Sequence, residues 1–349
     1  MDFVEVDGSR GEGGGQTLRT ALAFSVVLGK PVRVSKVRAG RPVPGLRRQH
    51  VSAAKVISEV FGGTLEGATE GSSQVSYAPG DGGKAGRVSI DMGTAASVTL
   101  VLQAVVPAAA VTGLKLELRL TGGTDVPWSP TLDYFGTVVR AAYARAGVAF
   151  ALEASRRGYY PRGGGRIMAV VEPGGPPKGI EQTSPPQGSA PEVTSRCALL
   201  PKHVAERQLA AAVSYLRRAG VGVSNSSASL EEADSPGSSI CLSEIGEGVA
   251  RGSDAIGSRG KTAEAVGVDA ASRYIATLRS GANFDENVTD MLVPVLSLAG
   301  VPSRLRVPRV TPHTQTVMDL ATQFTGCDFA VEGGGSSVVL EVRPMRHNL

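Results

Sequence analysis

Three short segments carry side chains that could do chemistry together. The first is Gly11-Glu12-Gly13-Gly14-Gly15-Gln16, a glycine run at the point where a strand should give way to a helix. Backbone N–H groups left free at a helix start bind phosphate, and the helix dipole favours the negative charge. The run follows neither the phosphate-loop nor the dinucleotide pattern, so a tight strand-to-helix turn explains it as well as an anion cradle does. Glu12 is the odd member, because a carboxylate repels a bound anion unless a divalent cation bridges the two. The second segment, residues 38–50, reads RAGRPVPGLRRQH. Its arginines, Arg38, Arg41, Arg47 and Arg48, are held by proline and glycine and suit bidentate contacts to phosphate oxygens. The third, Pro308-Arg309-Val310-Thr311-Pro312-His313-Thr314, puts His313 at a helix start. There the helix dipole disfavours protonation, and neutral imidazole is a competent nucleophile toward phosphorus. Taken alone, such a histidine is as a rule a cap or a packing residue. No Ser–His–Asp or paired-carboxylate arrangement follows from the spacing.

The elements that must position these segments repeat with a period of roughly 85 residues. The first unit reads as a strand at 3–6, a helix over 16–28, a strand at 31–37 and a helix over 50–61 stopped by Gly62-Gly63. Strands near 64–68 and 74–77 close it. The second unit has a strand at 87–91, an apolar helix over 97–110, a strand at 115–120, a helix over 134–146, and strands at 148–154 and 165–171. A third, partial unit has a helix over 287–298, a strand at 303–307, a helix over 313–324, and strands at 328–331 and 337–342. Its opening strand is not evident. The arginine-rich segment and the His313 segment thus occupy equivalent junctions, each before the second helix of its unit.

Between the second and third units lies a different stretch. A Pro/Ser/Gly linker over 183–191 leads to a strand at 193–200, an amphipathic helix over 205–219, strands near 222–226 and 238–243, and a helix over 261–278. The expected fold class is α+β, with three repeated units of a four-stranded sheet with two helices. A large domain would comprise 1–179 and 281–349, and a small α/β domain would be inserted at 180–280.

Composition limits the alternatives. The chain has 349 residues, 42% of them hydrophobic, which suits a folded globular protein. No apolar run reaches the ~18 residues of a membrane helix, and the start MDFVEVDGSR lacks the regions of a signal peptide, so a cytoplasmic protein is expected. Cys197, Cys241 and Cys327 lie far apart without metal spacing and read as buried free thiols. Net charge is only +4, yet no acidic residue falls between Glu12 and Glu59, where nine lysines and arginines do. A one-sign stretch of this length points to an anionic partner.

The runs GEGGGQTLRTALAFSVVLGKPVRV and RAGRPVPGLRRQHVSAAK are followed in order by LVLQAVVPAA, TGGTDVPWSPTLDY, GYYPRGGG, PKHVAER and the His313 segment. Together they resemble the RNA 3'-terminal phosphate cyclases over nearly the whole chain. The resemblance implies the repeated sheet-and-two-helix architecture, which the enolpyruvyl transferases share, with an inserted small domain. It implies ATP and an RNA with a 3'-phosphate end as substrates, and no membrane. His313 would take AMP from ATP and pass it to the RNA 3'-phosphate, after which the neighbouring 2'-hydroxyl closes a 2',3'-cyclic phosphate. Glu12 would contact a divalent cation, Mg or Mn. Gln103 matches a nucleotide contact, Pro130 a residue packing on adenine, and Asn287, Val288, Thr289, Asp290 and Met291 a nucleotide-binding segment. Arg19, Arg38, Arg41, Gln49 and His50 match an anion-binding cluster.

Two places depart from the family pattern. Members usually read His-Leu-Ala-Asp-Gln where this chain has residues 287–291, so Met291 replaces an amide and cannot form a strong hydrogen bond. Members also tend to carry Thr-Asn after the nucleophile, whereas Thr316 is followed here by Val317 and Met318. Trp128 and His203 are expected to be structural, and His347 to play no part. The alternatives are a cyclase-like ribosome-biogenesis factor without adenylylation, which would lack the histidine, an enolpyruvyl transferase, and 5'-end adenylylation by the same histidine.

Overall fold

A computed structural model describes residues 2–12, 14–80, 86–186 and 189–345. The first unit runs β1 (Val4–Asp7), α1 (Gly15–Leu28), β2 (Val32–Ser35), α2 (Arg48–Phe61), β3 (Thr64–Glu66) and β4 (Val75–Ala78). In β2 the alternation is plain, with Val32 and Val34 buried and Arg33 and Ser35 turned outward. The sheet order is β1-β2-β4-β3, with β1 parallel to β2 and the remaining pairs antiparallel. The second unit repeats this layout as β5 (Gly86–Asp91), α3 (Val98–Val111), β6 (Leu116–Gly122), a composite second helix, β7 (Phe150–Arg156) and β8 (Gly165–Val171). The composite helix starts as α4 (Leu132–Tyr134), passes through a π turn at Phe135–Val139 and continues as α5 (Arg140–Arg145).

The opening strand of the third unit is β9, only Glu181–Gln182, parallel to the strand that the later chain supplies. Two residues carry no readable periodicity, and they fall inside the stretch expected to be the insert, so the crossing comes just after Gln182. The chain then builds β10 (Glu192–Ala198), α6 (His203–Arg218), β11 (Asn225–Leu230), β12 (Gly237–Gly246), β13 (Val249–Ile256) and α7 (Ala263–Ser280). It returns to the third unit as α8 (Glu286–Leu296), β14 (Ser303–Val307), α9 (Pro312–Thr325), β15 (Asp328–Glu332) and β16 (Val338–Arg343). The sheet β15-β16-β14-β9 then matches the other two repeats.

The inserted sheet has a different order, β11-β10-β12-β13, so its first strand is central rather than at an edge. Its helices α6 and α7 pack on each other and share a core of Val193, Leu216, Ile240, Leu242, Tyr274 and Ile275. β13 was not expected from the sequence because VARGSDAI lacks an apolar alternation. Its polar residues are buried with partners. Arg251 Nε donates to Glu244 Oε2 at 2.7 Å and its Nη1 to the Ala282 carbonyl at 2.6 Å, while Ser253 Oγ donates to the Ala270 carbonyl at 2.7 Å.

In the large core α1 packs against α2, α3 and α9, and α8 against α9 and α5. Phe24 of α1 stacks on Phe324 of α9 with ring centroids 5.3 Å apart. One carboxylate ties three parts together. Asp285 caps α8, its Oδ1 accepts from Tyr134 Oη at 2.6 Å, and its Oδ2 accepts from the Gly252 amide of β13 at 2.7 Å. Among the described residues no helix is long and apolar enough to cross a membrane.

Arg251→Ala should lower stability by about 3–5 kcal/mol in chemical denaturation, because it leaves Glu244 buried without its counter-ion. A loss of about 0.5 kcal/mol, the size of an ordinary surface effect, would show that the buried pair is not needed to stabilise the inserted sheet.

Candidate active site

The site begins with the first turn of α9. Thr311 caps it, accepting from the Thr314 amide at 3.0 Å, while the Thr314 hydroxyl accepts from the Thr311 amide at 3.2 Å. Pro312 takes the first helical position, where its missing N–H is harmless. His313 therefore stands exposed in the first turn. Its Nδ1 lies 3.0 Å from Oε1 of Gln16, the second residue of α1. An amide oxygen can only accept, so Nδ1 carries the proton and the Nε2 lone pair is left free. Asp290 of α8 steadies this turn from behind, accepting from Thr314 Oγ1 at 2.5 Å and from Thr311 Oγ1 at 3.4 Å.

The glycine loop lies directly on α9. Gly11 has φ +59°, and a Cβ there would come within 2.2 Å of Thr316 Oγ1. The Glu12 amide donates to the same hydroxyl at 3.1 Å. Gly13 is outside the described residues. α1 then starts from Gly14 with no side-chain cap, which leaves its first N–H groups available. At Gly15 a Cβ would meet His50 Nε2 at 2.4 Å, so the arginine-rich segment, the glycine loop and the His313 turn converge on one place.

The electrostatics of this place are one-sided. His50 Nδ1 accepts from the Arg47 amide at 3.0 Å, which puts the ring proton on Nε2, facing Gly15. Burial first, then the fields of Arg19, Arg38 and Arg47, push its pKa down to about 4, so it is a neutral donor near pH 7. Arg19 is only 7% exposed, and among the described residues no hydrogen-bond acceptor or carboxylate is paired with it. Burial lowers it to about 10, still cationic at neutral pH. A buried charge without a counter-ion is strongly unfavourable, and an incoming anion relieves it. Arg41 Nη2 donates to the Glu12 carbonyl at 2.7 Å and lies 3.4 Å from Glu12 Oε2. Arg38 serves its own loop, donating to the carbonyls of Val43 and Gly45 at 2.9 and 3.1 Å. Gln49 is half-buried beside His50.

From here a cleft opens between α1, α3 and α8. Its polar rim is Gln16, Arg19, Gln103 and Asp290, and its apolar wall includes Phe24, Pro107, Met291 and Leu298. Burial raises Asp290 to about 7, against the lowering effect of its two threonine hydrogen bonds. Other expected contacts lie off the cleft. Pro130 is not in its lining, although its carbonyl accepts from Thr99 Oγ1 at 2.8 Å, one turn before Gln103 on α3. Asn287 is exposed at the start of α8, Val288 is in the core, and the buried Thr289 donates its hydroxyl to the Asp285 carbonyl at 2.7 Å. Val317 and Met318 are both buried in the core, so neither supplies a polar contact.

Of the two residues expected to be structural, Trp128 is 96% exposed and His203 stands exposed at the start of α6. His347 lies outside the described residues. The sequence did not single out Gln16, Thr311, Thr314 or Thr316 as site residues. Gln16 adjoins the glycine run and Thr311-Pro312 is a cap signature, so a signal existed for those two. The described residues contain no group of three or more His, Cys, Asp or Glu able to hold a metal alone.

Fold and site together define an α+β enzyme of repeated units whose polar groups gather where the helices of the three repeats meet. Comparison supplies the family. The profile described as RNA 3'-terminal phosphate cyclase matches residues 10–331. The RNA 3'-terminal phosphate cyclase of Methanopyrus kandleri is 39% identical over 99% of both chains. That of Thermococcus kodakarensis is 40% identical over 95% of this chain and 96% of its own. The chain belongs to the RNA 3'-terminal phosphate cyclase family. Among solved structures, the enolpyruvyl transferase NikO of Streptomyces tendae is similar over 99% of this chain and 66% of its own, at 14% identity and a TM-score of 0.27. That score is too low to support an argument.

An aspartate raised on folding contributes stability that is complete below the unfolded pKa of 3.8 and is lost as the pH climbs through about 7. Asp290→Asn cannot ionise, yet its amide oxygen can still accept from the threonines. The variant should therefore gain on the parent in denaturation midpoint between pH 4 and pH 8, with no nucleotide present. A gap that stays the same at both pH values would remove Asp290 as the titrating group.

Proposed function

We infer that the protein consumes ATP to convert an RNA 3'-terminal phosphate into a 2',3'-cyclic phosphodiester, through a covalent adenylate on His313. The observation that carries this reading is the Nδ1 contact of His313 with Gln16 Oε1 at 3.0 Å. It leaves Nε2 as a free nucleophile near the start of α1, which has no side-chain cap, and near Arg19, which has no ion-pair partner among the described residues.

In the first step His313 Nε2 attacks the α-phosphorus of ATP, a P–O bond breaks and pyrophosphate leaves. Arg19, the Nε2–H of His50 and the free amides of α1 meet the developing negative charge. The adenylylated ring keeps its Nδ1 proton, and the Gln16 carbonyl steadies that cation. A protonated imidazole is a good leaving group for the second step. An oxygen of the RNA 3'-phosphate then attacks the adenylate phosphorus, and the N–P bond breaks. In the third step the adjacent 2'-hydroxyl oxygen attacks the RNA phosphorus, loses its proton to solvent and expels AMP. Asp290 acts through the capping threonines, keeping the first turn of α9 in place against α8.

A divalent cation fits Glu12 as its single protein carboxylate, since magnesium-type ions are commonly held by one or two carboxylates plus substrate phosphates and water. Bound there, it would neutralise phosphate charge next to Arg41. The nucleoside would use the rim of Gln103 and Asp290 and the apolar wall at Met291, which offers packing where relatives offer an amide. Nucleotide affinity or base selectivity is expected to differ accordingly. All these groups lie in the large domain, leaving the inserted unit to help position RNA. The presence of His313 disfavours the non-adenylylating assembly factor.

ATP labelled at the α-phosphate, with a divalent cation, should leave acid-labile, alkali-stable label on the protein, and RNA 3'-phosphate ends should become resistant to phosphatase. His313→Ala should abolish both, and Arg19→Ala should slow labelling by about 100-fold. Undiminished labelling of His313→Ala would refute the nucleophile, and parental protein that neither labels nor protects RNA ends would favour the assembly-factor reading.

A further inference from the structure

We propose that Trp128 and Tyr160 form a stacking platform for the nucleobases at the 3' end of single-stranded RNA, with Arg162 beside them for the backbone. The proposal rests on the cyclase reading and names the part of the protein that grips the RNA next to the reacting phosphate.

Trp128 is the only tryptophan in the chain, and it is 96% exposed. Tryptophan is highly buried on average, so a ring left almost wholly in water needs a reason. The ring is not on a slack loop. Its backbone has φ +61°, a region disfavoured for a residue with a Cβ. The segment around it is fastened at several points. Asp125 bridges to Tyr159, Ser129 Oγ donates to the Val126 carbonyl at 2.9 Å, Thr99 Oγ1 donates to the Pro130 carbonyl at 2.8 Å, and the Thr131 amide donates to Asp254 Oδ2 at 2.6 Å. The fold thus holds a large flat apolar surface out toward solvent in a fixed place.

The Asp125–Tyr159 bridge puts a second ring on the adjoining loop. Tyr160 follows Tyr159 directly and is 68% exposed, while Tyr159 itself is buried. Two residues further on, Arg162 is exposed and has no ion pair among the described residues, and its amide is fixed to Ser235 Oγ at 3.2 Å. Exposed rings with an unpaired guanidinium are the groups that bind single-stranded nucleic acid. Every base offers a π face, and the cation meets phosphate or stacks in turn.

The position fits the same partner. The carbonyl of Pro130, two residues from Trp128, is held by Thr99, and Gln103 follows one turn later on the same face of α3, at the rim of the cleft. Trp128 itself is not among the cleft-lining residues, so the adenine of ATP is the less suitable occupant. A protein partner would call for a contiguous apolar patch, whereas the exposed Tyr160 is followed two residues later by an exposed arginine.

The single tryptophan is its own reporter. A short single-stranded RNA ending in a 3'-phosphate should quench its fluorescence to saturation. The same oligonucleotide with abasic residues at its last two positions should quench weakly and bind about tenfold less tightly, the loss expected for a base stacked on an aromatic ring. Trp128→Ala should bind both oligonucleotides with the same reduced affinity, and Trp128→Phe should restore most of the preference. Three results would overturn the proposal: RNA binding, followed by anisotropy of a labelled 5' end, without any change in emission; quenching by ATP alone to the same extent; or an unchanged base preference in Trp128→Ala. Cyclisation by the parental protein is scored separately as phosphatase resistance. Quenching without cyclisation would sink the cyclase reading and leave the platform standing, and cyclisation without quenching would do the reverse.

Discussion

The candidate site depends on one close approach, that of the His50 ring to the backbone of Gly15. A methyl group at Gly15 would sit 2.4 Å from Nε2 and 3.1 Å from Arg19 Nη1. Without it, α2 can bring its first turn against the first turn of α1, and the arginine-rich segment follows. Gly11 permits the matching approach on the other side, where the loop meets Thr316 of α9. Two helix starts and a loop from three places in the sequence therefore share a space that only backbone can occupy. The glycines act here by removing side chains more than by supplying flexibility.

That crowding explains the charge state. Arg19 and His50 are buried near the starts of α1 and α2, and among the described residues no carboxylate answers them. One of the two can respond by losing its charge, and His50 does so, with its pKa pushed down to about 4. Arg19 stays charged and is left as a preformed demand for an anion. Glu12, the only nearby acid in that segment, faces Arg41 instead, 3.4 Å away and partly exposed. On the function proposed above, triphosphate or a terminal phosphate would relieve this unfavourable arrangement without the protein needing a high net charge.

Asp285 performs the complementary task of rigidity. It caps the helix that carries Asp290 and Met291, and the same carboxylate holds Tyr134 of the second repeat and Gly252 of the inserted sheet. A displacement of the insert would be felt at the N-terminus of α8, and from there at Asp290 and the turn bearing His313. The insert is topologically separate, but it is mechanically part of the site.

These relations mark what a sequence can disclose. The repeat was legible because each helix has an apolar face and most end in glycine at positive φ, as at Gly29, Gly62 and Gly326. β9 was not, since two residues have no period, and neither was β13, which is held by its ladder with β12 and buries the Arg251–Glu244 pair in place of an apolar stripe. In the site, helix-start chemistry singled out His313, Glu12 and the arginines, and the family likeness supplied Gln103 and Asp290. The partners they touch were not legible. Gln16 meets His313 across 297 positions and Thr314 meets Asp290 across 24. Repeat equivalence says which positions correspond, not which ones touch, and here the first junction of one repeat meets the second junctions of two.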